Sequence, residues 1–227
     1  IGSERQWAGL FIPYTGNGFA PGAVRLGGDH LNYLFYETDP GVTPANLLDP
    51  SSVVARHATP PEWPWWDFDI NDVTTGKGDV MKGITDATDP DLTRFLLDRD
   101  GKLVLYHGWA DALVVPQPTL RYYYDVVDRT FQGDLATAKE QARLFMVPGM
   151  GHCRGGAGPD TWDRLRPLVD WVERDRGPDA LIATHLTNGV VDNERPVCAV
   201  PLQAVYTGPA GGKDDRANWV QENFTCR

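Results

Sequence analysis

An α/β fold built on a doubly wound parallel sheet is predicted by three observations. Two short apolar runs, residues 103–106 and 144–147, read as strands covered on both faces. A stretch with helical periodicity lies between them, as a parallel crossover requires. Each run also leads into a turn that ends on a chemically competent side chain, Asp111 after the first and His152 after the second. Functional residues just past the strand ends are what open α/β sheets provide.

The elements follow in order. Residues 1–80 are rich in Pro, Gly, Trp and Asp, with weak periodicity. The exception is 44–57, where Leu47, Leu48, Val53 and Val54 suggest one short helix. This stretch reads as the end of an irregular lid or insertion, packed onto something larger through Trp63-Pro-Trp-Trp66. Aromatic-rich lids shape aromatic pockets, and the same rings serve equally well as the core of an irregular region. The expected division is therefore 1–88, lid and return to the core, and 89–227, the sheet domain. Within the latter, 90–98 reads as a short helix with Leu92, Phe95 and Leu96 on one face. Residues 116–129 form a helix with Pro in its first turn and Leu120, Tyr123, Tyr124 and Val127 at helical spacing. A helix is expected over 159–176, with Trp162, Leu165, Val169 and Val172 on one stripe. Pro167 either kinks it or delays its start, and Gly177-Pro178 stops it. Residues 181–186 and 202–206 are candidate strands.

Composition removes several classes of function. At 227 residues, 41% hydrophobic and 23% charged, the chain has the make-up of an ordinary globular domain. A net charge of −10 argues against a nucleic-acid partner, because a polyanion-binding face needs a basic excess. No apolar run is long enough to span a membrane, and residues 1–5 have no signal-peptide character. Three cysteines leave at least one thiol unpaired or paired elsewhere. Disulfides point to a secreted or periplasmic protein, and three reduced thiols to a cytosolic one.

Asp111 and His152 are the candidate catalytic residues. A strand ending in an acid, a helix, then a strand ending in a histidine is the acid-and-base half of an α/β-hydrolase triad, whose chain order is Ser, Asp/Glu, His. The carboxylate would orient the imidazole and stabilise its protonated form; the imidazole would act as general base, then general acid. Read alone, Asp111 is equally a turn or capping residue. The serines are Ser3, Ser51 and Ser52, and none lies in a Gly-x-Ser-x-Gly elbow. The chain is therefore expected to be part of a larger enzyme, its nucleophile lying upstream of residue 1. Leu113 and Val114 follow the acid and line a candidate acyl pocket or plain core. His107, at a strand end, reads as structural. His30, His57 and His185 share no metal-binding spacing, and Asp67, Asp69 and Asp72 read as a solvated acidic loop, so no metal site is expected.

The wording around these residues resembles the tannase and feruloyl esterase family. The resemblance runs through Asp89-Pro-Asp-Leu-Thr-Arg-Phe95, Gly101-Lys-Leu-Val-Leu-Tyr-His-Gly-Trp-Ala-Asp111 and Val147-Pro-Gly-Met-Gly-His-Cys153. It continues in Leu168-Val-Asp-Trp-Val-Glu173, Arg195-Pro-Val-Cys198 and Phe224-Thr-Cys226, with upstream echoes in Leu10-Phe-Ile-Pro-Tyr-Thr-Gly-Asn-Gly-Phe-Ala-Pro-Gly22 and Trp66-Asp-Phe-Asp69. Cys directly after the histidine is its most specific element. The resemblance implies a Cys198–Cys226 disulfide, worth roughly 3 kcal/mol on the entropic model. It also implies a bridge from Cys153 to a Cys beside the nucleophilic serine, neither of which stands in this chain. It further implies an α/β-hydrolase sheet of which this chain is the C-terminal part, and no cofactor here, although the family's lid holds calcium upstream of residue 1.

The expected function is serine carboxylic-ester hydrolysis, through an acyl-enzyme, of esters of hydroxycinnamic, gallic or related aromatic acids. The partners are that small ester and the N-terminal portion of the same precursor, with no nucleic acid and no membrane. Two rivals stand beside it. A Cys153 thiol esterase suffers because a sulfur adjacent to its own base cannot easily face that imidazole. A degenerate, non-catalytic hydrolase-like binding module fits a chain that has no elbow serine.

Overall fold

Residues 85–227 are described here from a computed structural model. The expected 44–57 helix, the tryptophan run at 63–66, the aspartates at 67–72, and His30 and His57 lie outside the described residues. Residues Thr88–Arg227 make one compact unit.

Six strands and four α-helices order this unit, with two 3₁₀ turns near its end. The helices are α1 (Thr93–Leu96), α2 (Gln117–Phe131), α3 (Leu135–Ala138) and α4 (Arg166–Arg174); the strands are β1 (Leu103–Gly108), β2 (Ala142–Val147), β3 (Ala180–Thr187), β4 (Val190–Cys198), β5 (Ala204–Tyr206) and β6 (Phe224–Cys226). β1 and β2 pair in parallel, from Leu103 opposite Ala142 to Gly108 opposite Val147, with α2 and α3 as the crossover. Of the expected doubly wound parallel sheet, the described residues contain one parallel pair, β1 with β2.

β2 is buried along its whole length because its alternating side chains enter two different cores. Leu144 and Met146 pack with Tyr123, Val126 and Val127 of α2, whereas Phe145 and Val147 pack with Leu181, Ala183, Val197 and Ala199. Arg143 is also buried there. Its Nη1 donates to Asp179 at 2.7 Å, its Nε donates to the Lys139 carbonyl at 2.9 Å, and its guanidinium lies over the Trp171 ring. β1, expected to be covered on both faces, is only half-buried as far as His107, since β2 alone hydrogen-bonds to it among the described strands.

Helix boundaries moved for local reasons. The expected 90–98 helix contracts to four residues, with Asp89 and Asp91 carboxylates accepting from nearby amides and holding its approach in turns. α2 runs two residues beyond 129 and stops at Gln132, which is left-handed. The 159–176 helix starts only at Arg166: Asp163 Oδ1 accepts the Leu165 and Arg166 amides, and Pro167 sits in the first turn. The expected stripe fails with it, because Leu165 and Val172 are exposed and Trp171 is the residue that α4 buries.

β3 and β4 form an antiparallel hairpin closed by Asn188-Gly189, both at positive φ. The expected 202–206 strand shortens to β5, which pairs antiparallel with β6, a strand that periodicity did not suggest. Cys198 and Cys226 are disulfide-bonded, which fastens β6 to the end of β4.

Candidate active site

Asp111 and His152 stand on neighbouring turns because β1 and β2 are adjacent and parallel, so their C-terminal ends emerge side by side. The backbones then approach closely. The Trp109 amide donates to the Val147 carbonyl at 2.9 Å, and the Ala110 amide to the Met150 carbonyl at 3.0 Å. Gly108 permits this, since a Cβ there would lie 2.2 Å from the Met150 carbonyl oxygen. The histidine turn is closed by the Gly151 amide donating to Gly155 O, and Arg164 steadies it by donating to the Cys153 carbonyl at 3.0 Å.

Asp111 is buried, and each of its oxygens has a separate task. Oδ1 accepts the amides of Leu113 and Val114, both at 2.9 Å, while Oδ2 lies 2.9 Å from His152 Nδ1. Residues 41 apart in the chain thereby meet. Burial pushes the Asp111 carboxyl up, but the Val114 amide, His152 and the Leu113 amide outweigh it and hold the group below the ordinary carboxylate range. The carboxylate side chain is 3% exposed, whereas that of His152 is 47% exposed.

His107 also reaches this acid. Its Nε2 lies 3.2 Å from Asp111 Oδ2 and 2.9 Å from the Val114 carbonyl oxygen, and its Nδ1 lies 2.7 Å from Thr119 Oγ1. The structural reading of His107 from the sequence did not place it on the acid; the Tyr106-His-Gly-Trp-Ala-Asp spacing, which puts it four residues before Asp111, is the signal for that contact. The contribution of the Leu113 and Val114 amides had no side-chain signature to find.

A cavity of about 130 Å³ opens beside the pair, lined by Tyr106, His107, Asp111, Val114, His152 and Cys153 among others. Val114 thus lines the same cavity as His152, whereas Leu113 does not line it. Cys153 is exposed, unbonded and at positive φ. A larger cavity of about 440 Å³, against Trp109, Tyr124 and residues of β4 and β5, contains neither Asp111 nor His152, so size does not locate the chemistry. His185 lies apart on β3, paired with Asp192. Among the described residues, no cluster of three or more His, Cys, Asp or Glu is arranged to hold a metal, and no helix is long and apolar enough to cross a membrane.

The model of the tannase and feruloyl esterase family matches residues 66–221, and the chain belongs to that family. It is 39% identical over 186 residues to a mono(2-hydroxyethyl) terephthalate hydrolase of Piscinibacter sakaiensis, an alignment covering 78% of this chain and 29% of that protein. It is 32% identical over 149 residues to feruloyl esterase B of Aspergillus niger, covering 59% of this chain and 28% of the relative. The chain therefore spans about a third of the length of the curated relatives it matches. Its fold is similar to the crystal structure of an esterase from Aspergillus oryzae, with a TM-score of 0.66 at 23% identity, covering 94% of this chain and 39% of the other. That likeness is consistent with an α/β-hydrolase-like fold.

Proposed function

We propose that this chain supplies the acid and base of a serine carboxylic-ester hydrolase acting on esters of aromatic acids. The observation that carries the reading is the 2.9 Å contact between a buried Asp111 Oδ2 and Nδ1 of a half-exposed His152. A carboxylate only accepts, so Nδ1 carries the hydrogen and Nε2 is left as the base. Nε2 takes the proton of a serine hydroxyl as its oxygen adds to the ester carbonyl. The imidazolium then gives that proton to the departing alkoxide, and the acyl-enzyme remains. Water repeats the sequence, Nε2 taking its proton and returning it to the serine oxygen as the acid leaves. Asp111 stays ionised throughout, which its lowered pKa favours.

The serine belongs to a portion of the protein outside these residues, as does the remainder of a doubly wound sheet of which β1 and β2 are two strands. Cys153 bridges to a cysteine beside that serine, and the protein works in a secreted or periplasmic setting, to which the Cys198–Cys226 disulfide is suited. Aromatic acyl groups are inferred from the feruloyl and terephthalate esterases among its relatives. The test uses the complete protein with methyl ferulate and mono(2-hydroxyethyl) terephthalate. Turnover abolished by a serine-directed phosphonate and by His152→Ala is expected. Turnover that survives both but is stopped by a thiol reagent overturns the serine reading in favour of Cys153.

A further inference from the structure

The acid–base reading leaves the His107 ring without a role, although the ring is 12% exposed and engages three groups of the site. Its neighbours select its tautomer. The Val114 carbonyl at 2.9 Å and Asp111 Oδ2 at 3.2 Å can only accept, so Nε2 carries a hydrogen. In the neutral ring Nδ1 is then a lone pair, and the Thr119 hydroxyl at 2.7 Å donates to it. Thr119 lies in the first turn of α2, so the ring ties β1 both to that helix and to the turn that follows Asp111.

Val114 is gripped from both sides. Its amide holds Asp111 Oδ1 at 2.9 Å, and its carbonyl is held by His107. A rotation of the 111–114 turn that swung Oδ2 away from His152 would have to break the His107 bond as well. We infer that His107 is a positioning residue, which fixes this turn and, through it, the Oδ2 that orients His152. It acts through Asp111 and takes no proton from the reacting groups itself. The inference rests on the ester-hydrolase reading of Asp111 and His152 proposed above.

The experiment takes the complete protein and its His107→Leu, His107→Gln and Thr119→Val variants. Active sites are counted with a p-nitrophenyl phosphonate, and kcat and KM are measured on a p-nitrophenyl ester. His107→Leu should lower kcat per counted site about 10-fold or more with KM within about twofold, the pattern of a misplaced catalytic group. His107→Gln, which places an amide N–H near the position of Nε2, should recover most of that loss. If the leucine variant does not fold, Thr119→Val carries the test, with a loss of about 2–3-fold as expected for one neutral hydrogen bond. Independently of turnover, long-range ¹H–¹⁵N correlation should show the His107 ring protonated at Nε2. A ring protonated at Nδ1 alone overturns the inference. So does full kcat in His107→Leu, or a glutamine variant as impaired as the leucine one. A parent protein that ignores the phosphonate, or a fully active His152→Ala, instead overturns the reading of the site, and the His107 inference falls with it.

Discussion

Two aspartates in the described part of this chain pair with histidines through Nδ1, and only one has the surroundings of a catalytic acid. On the turns after β1 and β2, His152 Nδ1 lies 2.9 Å from Asp111; on the β3–β4 hairpin, His185 Nδ1 lies 2.5 Å from Asp192. The shorter contact is not the more useful one. Asp192 also accepts from Thr187 at 2.8 Å and from Arg216 at 3.2 Å, so a guanidinium already meets its charge. Among the described residues Asp111 has no Lys or Arg partner, and two amides occupy its other oxygen. Exposure separates them too. In the first pair the acid is 3% and the base 47% exposed, a buried orienter beside an open base; in the second they are 23% and 20%. A His–Asp hydrogen bond is therefore not by itself a site. What matters is where the acid's remaining charge is spent and whether the second imidazole nitrogen can reach a substrate.

Substitutions can break or sharpen this contrast. The largest effect is expected for His152→Ala in the complete protein, about 10⁶-fold in kcat with little change in KM, by analogy with removal of a triad base. His185→Ala should leave kcat within about twofold, the scale of a surface change away from the site. Equal losses at both positions in steady-state kinetics would erase the distinction. Asp111→Asn should cost about 10⁴ in kcat, because the wrong histidine tautomer is favoured. Asp192→Asn should show no comparable loss.

Stability effects come next. Cys198→Ser should cost about 2–4 kcal/mol by freeing a loop with a sequence separation of 28, read as a lower denaturant midpoint. Gly108→Ala should cost about 1–3 kcal/mol through overpacking against Met150 and Gly151. Unlike the disulfide change, it should lower kcat under folding conditions, since it pushes the Asp111 and His152 turns apart. The smallest effect is a pH-dependent one. Asp192 is held below its ordinary pKa of 3.8, by His185 first and Thr187 next, so its contribution is present above 3.8 and lost as pH falls through the lowered value. The Tm difference between the parent and Asp192→Asn should accordingly be small at neutral pH and vanish in acid. A difference that instead grew in acid would contradict this sign.

The sequence was most readable where local rules and tertiary packing agree. The apolar run of β2 announced a strand covered on both faces, and Gly-Met-Gly-His-Cys announced a turn. It was least readable at β4, whose Asp192, Asn193, Glu194 and Arg195 hide the strand from any apolar count. The Asn188-Gly189 dipeptide before β4 was the signal that periodicity alone passed over. The α4 stripe failed because Asp163 and Pro167 set the start of the helix, and with it which face Trp171 occupies.

By itself the sequence determined the chemical types at the two strand ends, their order in the chain and the family, since these depend on residue identity and short spacing. Tertiary structure decided how the expected pair meets: a buried carboxylate 2.9 Å from Nδ1 of a half-exposed imidazole, with His107 on the same acid. The parallel pairing of β1 with β2 and the Cβ-free approach at Gly108 deliver His152 to Asp111 across 41 residues, while the hairpin spends His185 on an acid already neutralised by Arg216. Distances and exposures of that kind are set by how two strands share a core, and the chain order of acid and histidine does not encode them.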